Sequence, residues 1–133
     1  MSIPPFTLNF TKGDKLSSDE EILAELRNTT AGLFFMSESD YPVEVIKWDR
    51  QTVITPEYLR SISTAPAGSE VRETDLINFF SSNGKFQNVL RLLKNNLTDL
   101  KVYKVGTINI PVYVVGRSRE GNWLGISTRV VES

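Results

Sequence analysis

The chain closes on Val130-Val131-Glu132-Ser133, directly after a run with the β-branched character of a strand. An end held by a strand presents a main-chain carboxylate, a serine hydroxyl and a neighbouring glutamate at a fixed point. These are hard oxygen ligands, suited to a hard cation such as Mg²⁺ or to a cationic pocket. Against that stands the ordinary behaviour of chain ends, which fray and carry no function. A second candidate is the loop Met36-Ser37-Glu38-Ser39-Asp40-Tyr41-Pro42. Glu38 and Asp40 pair two carboxylates, as in acid/base hydrolases, although acids in an exposed loop are usually just solvated. The same loop sets acids beside an aromatic ring and a proline, between apolar segments. That is the make-up of an interface hot spot whose acid aims at a partner's arginine. The plain alternative is that Ser37 or Ser39 bonds the local backbone and Glu38 is idle.

Composition removes many other chemistries. The 133 residues contain no cysteine and no histidine, which excludes thiol nucleophiles, Cys/His zinc sites, disulfides and imidazole triads. There is no Walker A sequence and no GxGxxG after a strand. A formal charge of −1 is that of neither a basic nucleic-acid binder nor a uniformly acidic DNA mimic. Lys101, Tyr103 and Lys104 interleave basic and aromatic residues, but strand alternation explains them equally well. Acids gather in the first third, from Asp14 to Glu44, opposed there by Lys12, Lys15 and Arg27. Such a field can steer the protein to a cationic partner, whereas Asp19, Glu20, Glu21 and Glu25 read as a solvated helix face. No apolar run is long enough to cross a membrane, and Met1-Ser2-Ile3-Pro4-Pro5 lacks the pattern of a signal peptide. The expected location is the cytoplasm.

The elements that must position the two candidate sites follow from pattern. Residues 1–17 read as a loosely held arm, followed by one domain over 18–133. Ser18 and Glu21 form a capping box ahead of Ile22, Leu23 and Leu26 at helical spacing, and Gly32 suits the helix end. Residues 33–36 are expected to be buried, and 43–48 to form a strand. Thr55-Pro56-Glu57 opens a second helix, a short strand falls at 70–73, and Thr74 is the expected cap of a helical turn through Leu76, Ile77, Phe79 and Phe80. Phe86, Val89, Leu90, Leu93 and Leu97 make the clearest helical stripe, a core-facing pattern. Residues 101–105, 108–115 and 123–131 read as an antiparallel meander turning at Gly106 and Gly121-Asn122. Pro111 suggests an edge or a bulge in the middle run. Strands apolar on both faces favour an α+β fold, a three-layer α/β/α sandwich with a largely antiparallel central sheet.

The segment Gly32-Leu33-Phe34-Phe35-Met36-Ser37-Glu38-Ser39-Asp40-Tyr41-Pro42, with Val43-Glu44-Val45 and Trp48, resembles the nuclease A inhibitor family. So does the last third: Val102-Tyr103, Val112-Tyr113-Val114-Val115-Gly116, Gly121-Asn122, Gly125-Ile126-Ser127-Thr128 and the tail Val130-Val131-Glu132-Ser133. Phe79-Phe80 and Lys85-Phe86-Gln87 match more loosely. The resemblance implies a small cytoplasmic, non-enzymatic α/β/α protein whose partner is a Mg²⁺-dependent, sugar-non-specific DNA/RNA nuclease. It implies that the C-terminal residue, threonine in the family and Ser133 here, reaches the nuclease Mg²⁺ with its carboxylate and hydroxyl. It also implies that Glu38 meets an arginine of the enzyme. Glu132, beside the chelator, is taken as a further partner contact. The Mg²⁺ belongs to the partner, so no cofactor is expected, and no direct contact with nucleic acid or membrane. Serine keeps the hydroxyl but lacks the methyl group that stiffens χ1 in threonine. The family prototype has a long acidic insertion after the Phe-Phe turn, where this chain has only Ser81-Ser82-Asn83-Gly84. That departure keeps a second reading open: a non-catalytic interaction module on the same fold, without nuclease inhibition.

Overall fold

Helix α1 (Asp19–Thr30) begins at the capping box. The Glu21 N–H donates to the Ser18 hydroxyl at 3.2 Å and the Ser18 N–H donates to the Glu21 carboxylate at 3.1 Å, which satisfies two of the donors stranded at a helix start. The computed structural model describes residues 18–35, 41–63, 65–81 and 84–132. The arm 1–17, the acidic residues Glu38 and Asp40 and the terminal Ser133 lie outside the described residues. After α1, Gly32 takes φ +76° and the chain enters β1 (Phe34–Phe35), which pairs antiparallel with β2 (Tyr41–Pro42). The expected burial of residues 33–36 does not hold at Phe34, whose side chain is 50 % exposed. Phe34 belongs to the separate two-stranded sheet β1–β2 and is not among the residues of the buried core clusters.

Strand β3 (Glu44–Trp48) leads to α2 (Pro56–Ile62), whose first turn is capped by the Thr55 hydroxyl accepting the Tyr58 N–H at 3.0 Å. Strand β4 (Val71–Thr74) is followed by α3 (Leu76–Phe80). The cap of α3 is Asp75, not Thr74: its carboxylate accepts the Asn78 N–H at 2.7 Å, while Thr74 stays in the ladder opposite Val102. A 3₁₀ turn at Gly84–Phe86 precedes α4 (Gln87–Asn96), which buries Val89, Leu92 and Leu93. Strands β5 (Thr98–Val105), β6 (Asn109–Arg117) and β7 (Trp123–Val131) complete the chain.

These strands build an antiparallel sheet in the order β3-β7-β6-β5-β4, so the fold is α+β. The meander is the middle of that sheet. Pro111 therefore sits on a central strand, not an edge. It is tolerated because the ladder to β5 ends at Lys104 opposite Val112, one residue earlier, where the missing N–H is not needed. The irregularity lies elsewhere, between Thr98 and Lys101, where Asp99 takes φ +53°. Period-two alternation splits the sheet's side chains between two clusters. Ile110, Val112 and Val114 join Leu26, Phe80, Phe86 and Leu93 from the helices α1, α3 and α4 and the 3₁₀ turn. Val105 and Tyr113 join Leu59 of α2, with Ile46, Trp48 and Tyr58 against them. At Gly125 a Cβ would collide with the Val114 carbonyl oxygen, so only glycine lets β7 lie this close to β6.

Asp19 departs from the solvated face expected of the first helix. It is 2 % exposed. Its N–H donates to the Glu120 carboxylate at 3.1 Å and its own carboxylate accepts the Asn122 side-chain amide at 2.7 Å. These bonds fasten the start of α1 to the β6–β7 turn. Glu20 fits the solvated reading and pairs with Lys47 at 3.7 Å.

Candidate functional site

Strand β7 carries the tail to its last described residue. Val131 is registered with Asn109, and one residue on, the Glu132 N–H donates to the Ile108 carbonyl at 3.0 Å. The Glu132 carboxylate lies 3.7 Å from the Lys104 ammonium. Lys104 is the better buried partner, with 21 % of its side chain exposed against 47 % for Glu132, and its ammonium stands 5.8 Å from the centre of the Phe79 ring. Across the sheet Lys104 faces Arg72, whose guanidinium donates to the Gly106 carbonyl at 3.0 Å. Backbone and side chain of Glu132 are thus both held by the β5–β6 hairpin.

The roots of the acidic loop dock on the same strand. Phe35, the last described residue before 36–40, pairs with Tyr41, the first described residue after them. The Thr128 hydroxyl donates to the Pro42 carbonyl at 3.0 Å, and the Arg129 guanidinium lies 5.9 Å from the centre of the Tyr41 ring. Strand β3 runs antiparallel to β7, with Glu44 opposite Ser127. Followed backwards from Glu44 through Pro42 to Tyr41, the chain therefore travels in the direction in which β7 runs forwards to Glu132. The described flanks of both sequence-derived sites lie at the same end of the sheet.

Two clefts meet beside that end. One, of about 660 Å³, runs past Glu70, Gly106, Ile108 and Asn109; the other, of about 310 Å³, runs past Glu44, Ile62, Tyr113 and Ser127; Tyr41 and Arg129 line both. Ile108 is 60 % exposed there. Burial pushes the Tyr113 phenol above its ordinary value, helped by Tyr58 and opposed by Arg129. A third cleft, of about 390 Å³, lies at the far end of the sheet between the start of α1 and the end of α4. Among the described residues, no three or more of Asp and Glu gather as metal ligands.

Of the residues singled out in the sequence, Glu132 is described and Glu38, Asp40 and Ser133 lie outside the described residues. Lys101 and Lys104, considered together as a basic pair, point to opposite faces: Lys101 pairs with Glu73 at 3.7 Å and Lys104 with Glu132 at 3.7 Å. Sequence reasoning missed Lys104 as a support of the tail. Alternation along β5 places Lys104 on the face of Val102, but only the register of three strands and the turn brings it to Glu132.

A family model described as nuclease A inhibitor-like protein matches residues 20–133. The chain belongs to the nuclease A inhibitor-like family. No curated protein matches the chain. The match to the nuclease A inhibitor-like family starts within the first turn of α1 and runs through the loop, the meander and the tail, so both candidate sites fall inside it. Membership ties the chain to nuclease inhibition in general, a binding role that needs a partner-facing surface. No helix among the described residues is long and apolar enough to cross a membrane.

Proposed function

We propose that this protein inhibits a Mg²⁺-dependent, sugar-non-specific DNA/RNA nuclease, capping the enzyme's metal with the carboxylate and hydroxyl of Ser133 as the last residue. The observation that carries this reading is the fastening of Glu132, whose N–H bonds the Ile108 carbonyl and whose carboxylate meets Lys104. A ligand fixed one residue before its donor atoms loses less freedom on binding than a frayed end would. The donor set fits Mg²⁺, which takes oxygen ligands, and a carboxylate with a β-hydroxyl resembles the oxygens of a phosphodiester. The metal belongs to the nuclease. It supplies Lewis-acid chemistry to a substrate; the inhibitor offers oxygens but no scissile bond.

Glu38 serves as the second contact, aimed at an arginine of the enzyme from the loop whose roots dock on β7. The protein needs no catalytic residue or cofactor of its own, touches neither nucleic acid nor membrane, and works in the cytoplasm. The three-layer arrangement gives the site its stiffness: α1, α3 and α4 support one face and α2 the other, as the two apolar clusters suggest.

The test is inhibition of a sugar-non-specific nuclease by the wild type, by a variant lacking Ser133 and by one extended beyond it. Both changes leave the described core untouched, so melting temperatures should match. The capping reading expects each to weaken inhibition at least about tenfold, the loss of one charged ligand interaction. Unchanged inhibition by the extended chain would rule out metal capping and leave an interaction module on the same fold.

A further inference from the structure

The geometry points to Lys104 as a positioning residue for the terminal chelator, with Glu132 as its occupant and not as a partner contact; this rests on the capping function proposed above. Three observations converge on Lys104. Its ammonium meets the Glu132 carboxylate at 3.7 Å and is the more buried of the pair. It stands 5.8 Å from the centre of the Phe79 ring, whose electron-rich face favours a cation. Its strand neighbour Arg72 is partly buried and committed to the Gly106 carbonyl, so of these two cations Lys104 is the one that reaches the tail.

The chemistry of the tail makes that pairing consequential. With Ser133 as the capping residue, a second carboxylate follows Glu132 by one residue, and the Lys104 ammonium already meets the Glu132 side chain. An ammonium on a flexible four-carbon stem pairs with whichever carboxylate is nearer. If Glu132 did not hold it, Lys104 would capture the terminal carboxylate and withdraw it from the nuclease metal. Glu132 therefore does two things through Lys104: it holds the backbone one residue before the chelator, and it occupies the ammonium that would otherwise compete with the metal for the terminal carboxylate.

This makes a specific non-additive prediction. Lys104→Met, which keeps the stem and drops the charge, weakens inhibition about two- to fivefold, the range of one partly exposed ion pair. Glu132→Ala weakens it more, because Lys104 is then free to trap the terminus. The double variant inhibits better than Glu132→Ala alone, and Lys104→Arg restores wild-type inhibition. A direct role for Glu132 at the nuclease gives another pattern: Lys104→Met is silent and the double variant equals Glu132→Ala. That pattern overturns the proposal.

A second readout needs no nuclease. Hydrogen exchange at the Glu132 amide, which is bonded to the Ile108 carbonyl, should quicken as salt rises from about 0.05 to 1 M and screens the pair, and quicken further in Lys104→Met. Exchange insensitive to both would also overturn the proposal. Removal of Ser133 separates the two levels. If that deletion leaves inhibition intact, capping itself fails. If it abolishes inhibition while the Lys104 variants behave as wild type, only the positioning role fails.

Discussion

At the scale of single residues, local chemistry and final environment diverge most at polar groups. Asp19 and Glu20 are adjacent acids at the start of one helix, yet Asp19 is 2 % exposed and bonded to the β6–β7 turn, while Glu20 faces solvent and Lys47. Tyr113 shows the same dependence on surroundings. Its ring lies 5.7 Å from the Trp48 ring between centres, and burial raises its phenol above the ordinary value of about 10. A raised value means that the folded protein holds the proton after the unfolded chain has released it. Its contribution to stability is therefore complete below the unfolded value and declines as pH rises through and above it. Tyr113→Phe should flatten the alkaline fall in melting temperature above about pH 10. An unchanged slope would remove Tyr113 from that transition.

At the scale of elements, capping and turn chemistry acted where local rules apply. The Ser18 and Thr55 caps and the turns at Gly106 and Gly121 are all present, both glycines at positive φ. Ser18→Ala should cost about 1 kcal/mol, because the Glu21 N–H loses its acceptor at a partly buried helix start. In a chain of 133 residues this is a fall of roughly 3–5 °C in melting temperature, measurable by circular dichroism. A loss below about 0.3 kcal/mol would mean that the Asp19 bonds alone hold the helix start. Where local rules competed, position decided: Thr74 and Asp75 are both capping types, and strand pairing with Val102 claims Thr74, leaving the cap to Asp75.

At the scale of the whole molecule, the sheet order brings the flanks of two distant segments together. The loop's roots at Phe35 and Tyr41 and the tail at Glu132 are some ninety residues apart in the chain, and β7 supports both. If Glu38 and Ser133 act on one nuclease from this end, the contacts are separate and should add. Glu38→Ala, combined with substitution of its cationic partner in the nuclease, should show a coupling of about 1.5 kcal/mol or more, typical of a close charge pair at an interface. Coupling near zero would take Glu38 out of the interface.

By itself the sequence determined what local patterns encode: the starts of α1 and α2, most of the apolar stripe of α4, the three-strand meander and an α+β fold. The family was legible too, because long blocks around the loop and the tail keep their order. What the tertiary structure alone decided depends on register between distant strands. Pro111 falls on a central strand beyond the last β5 pair, Asp19 is buried against the β6–β7 turn, and Lys104 meets Glu132. Hydrophobic periodicity records which face a residue takes but not which strand lies beside it. The partners of the tail were therefore set only when the sheet closed around β6 and β7.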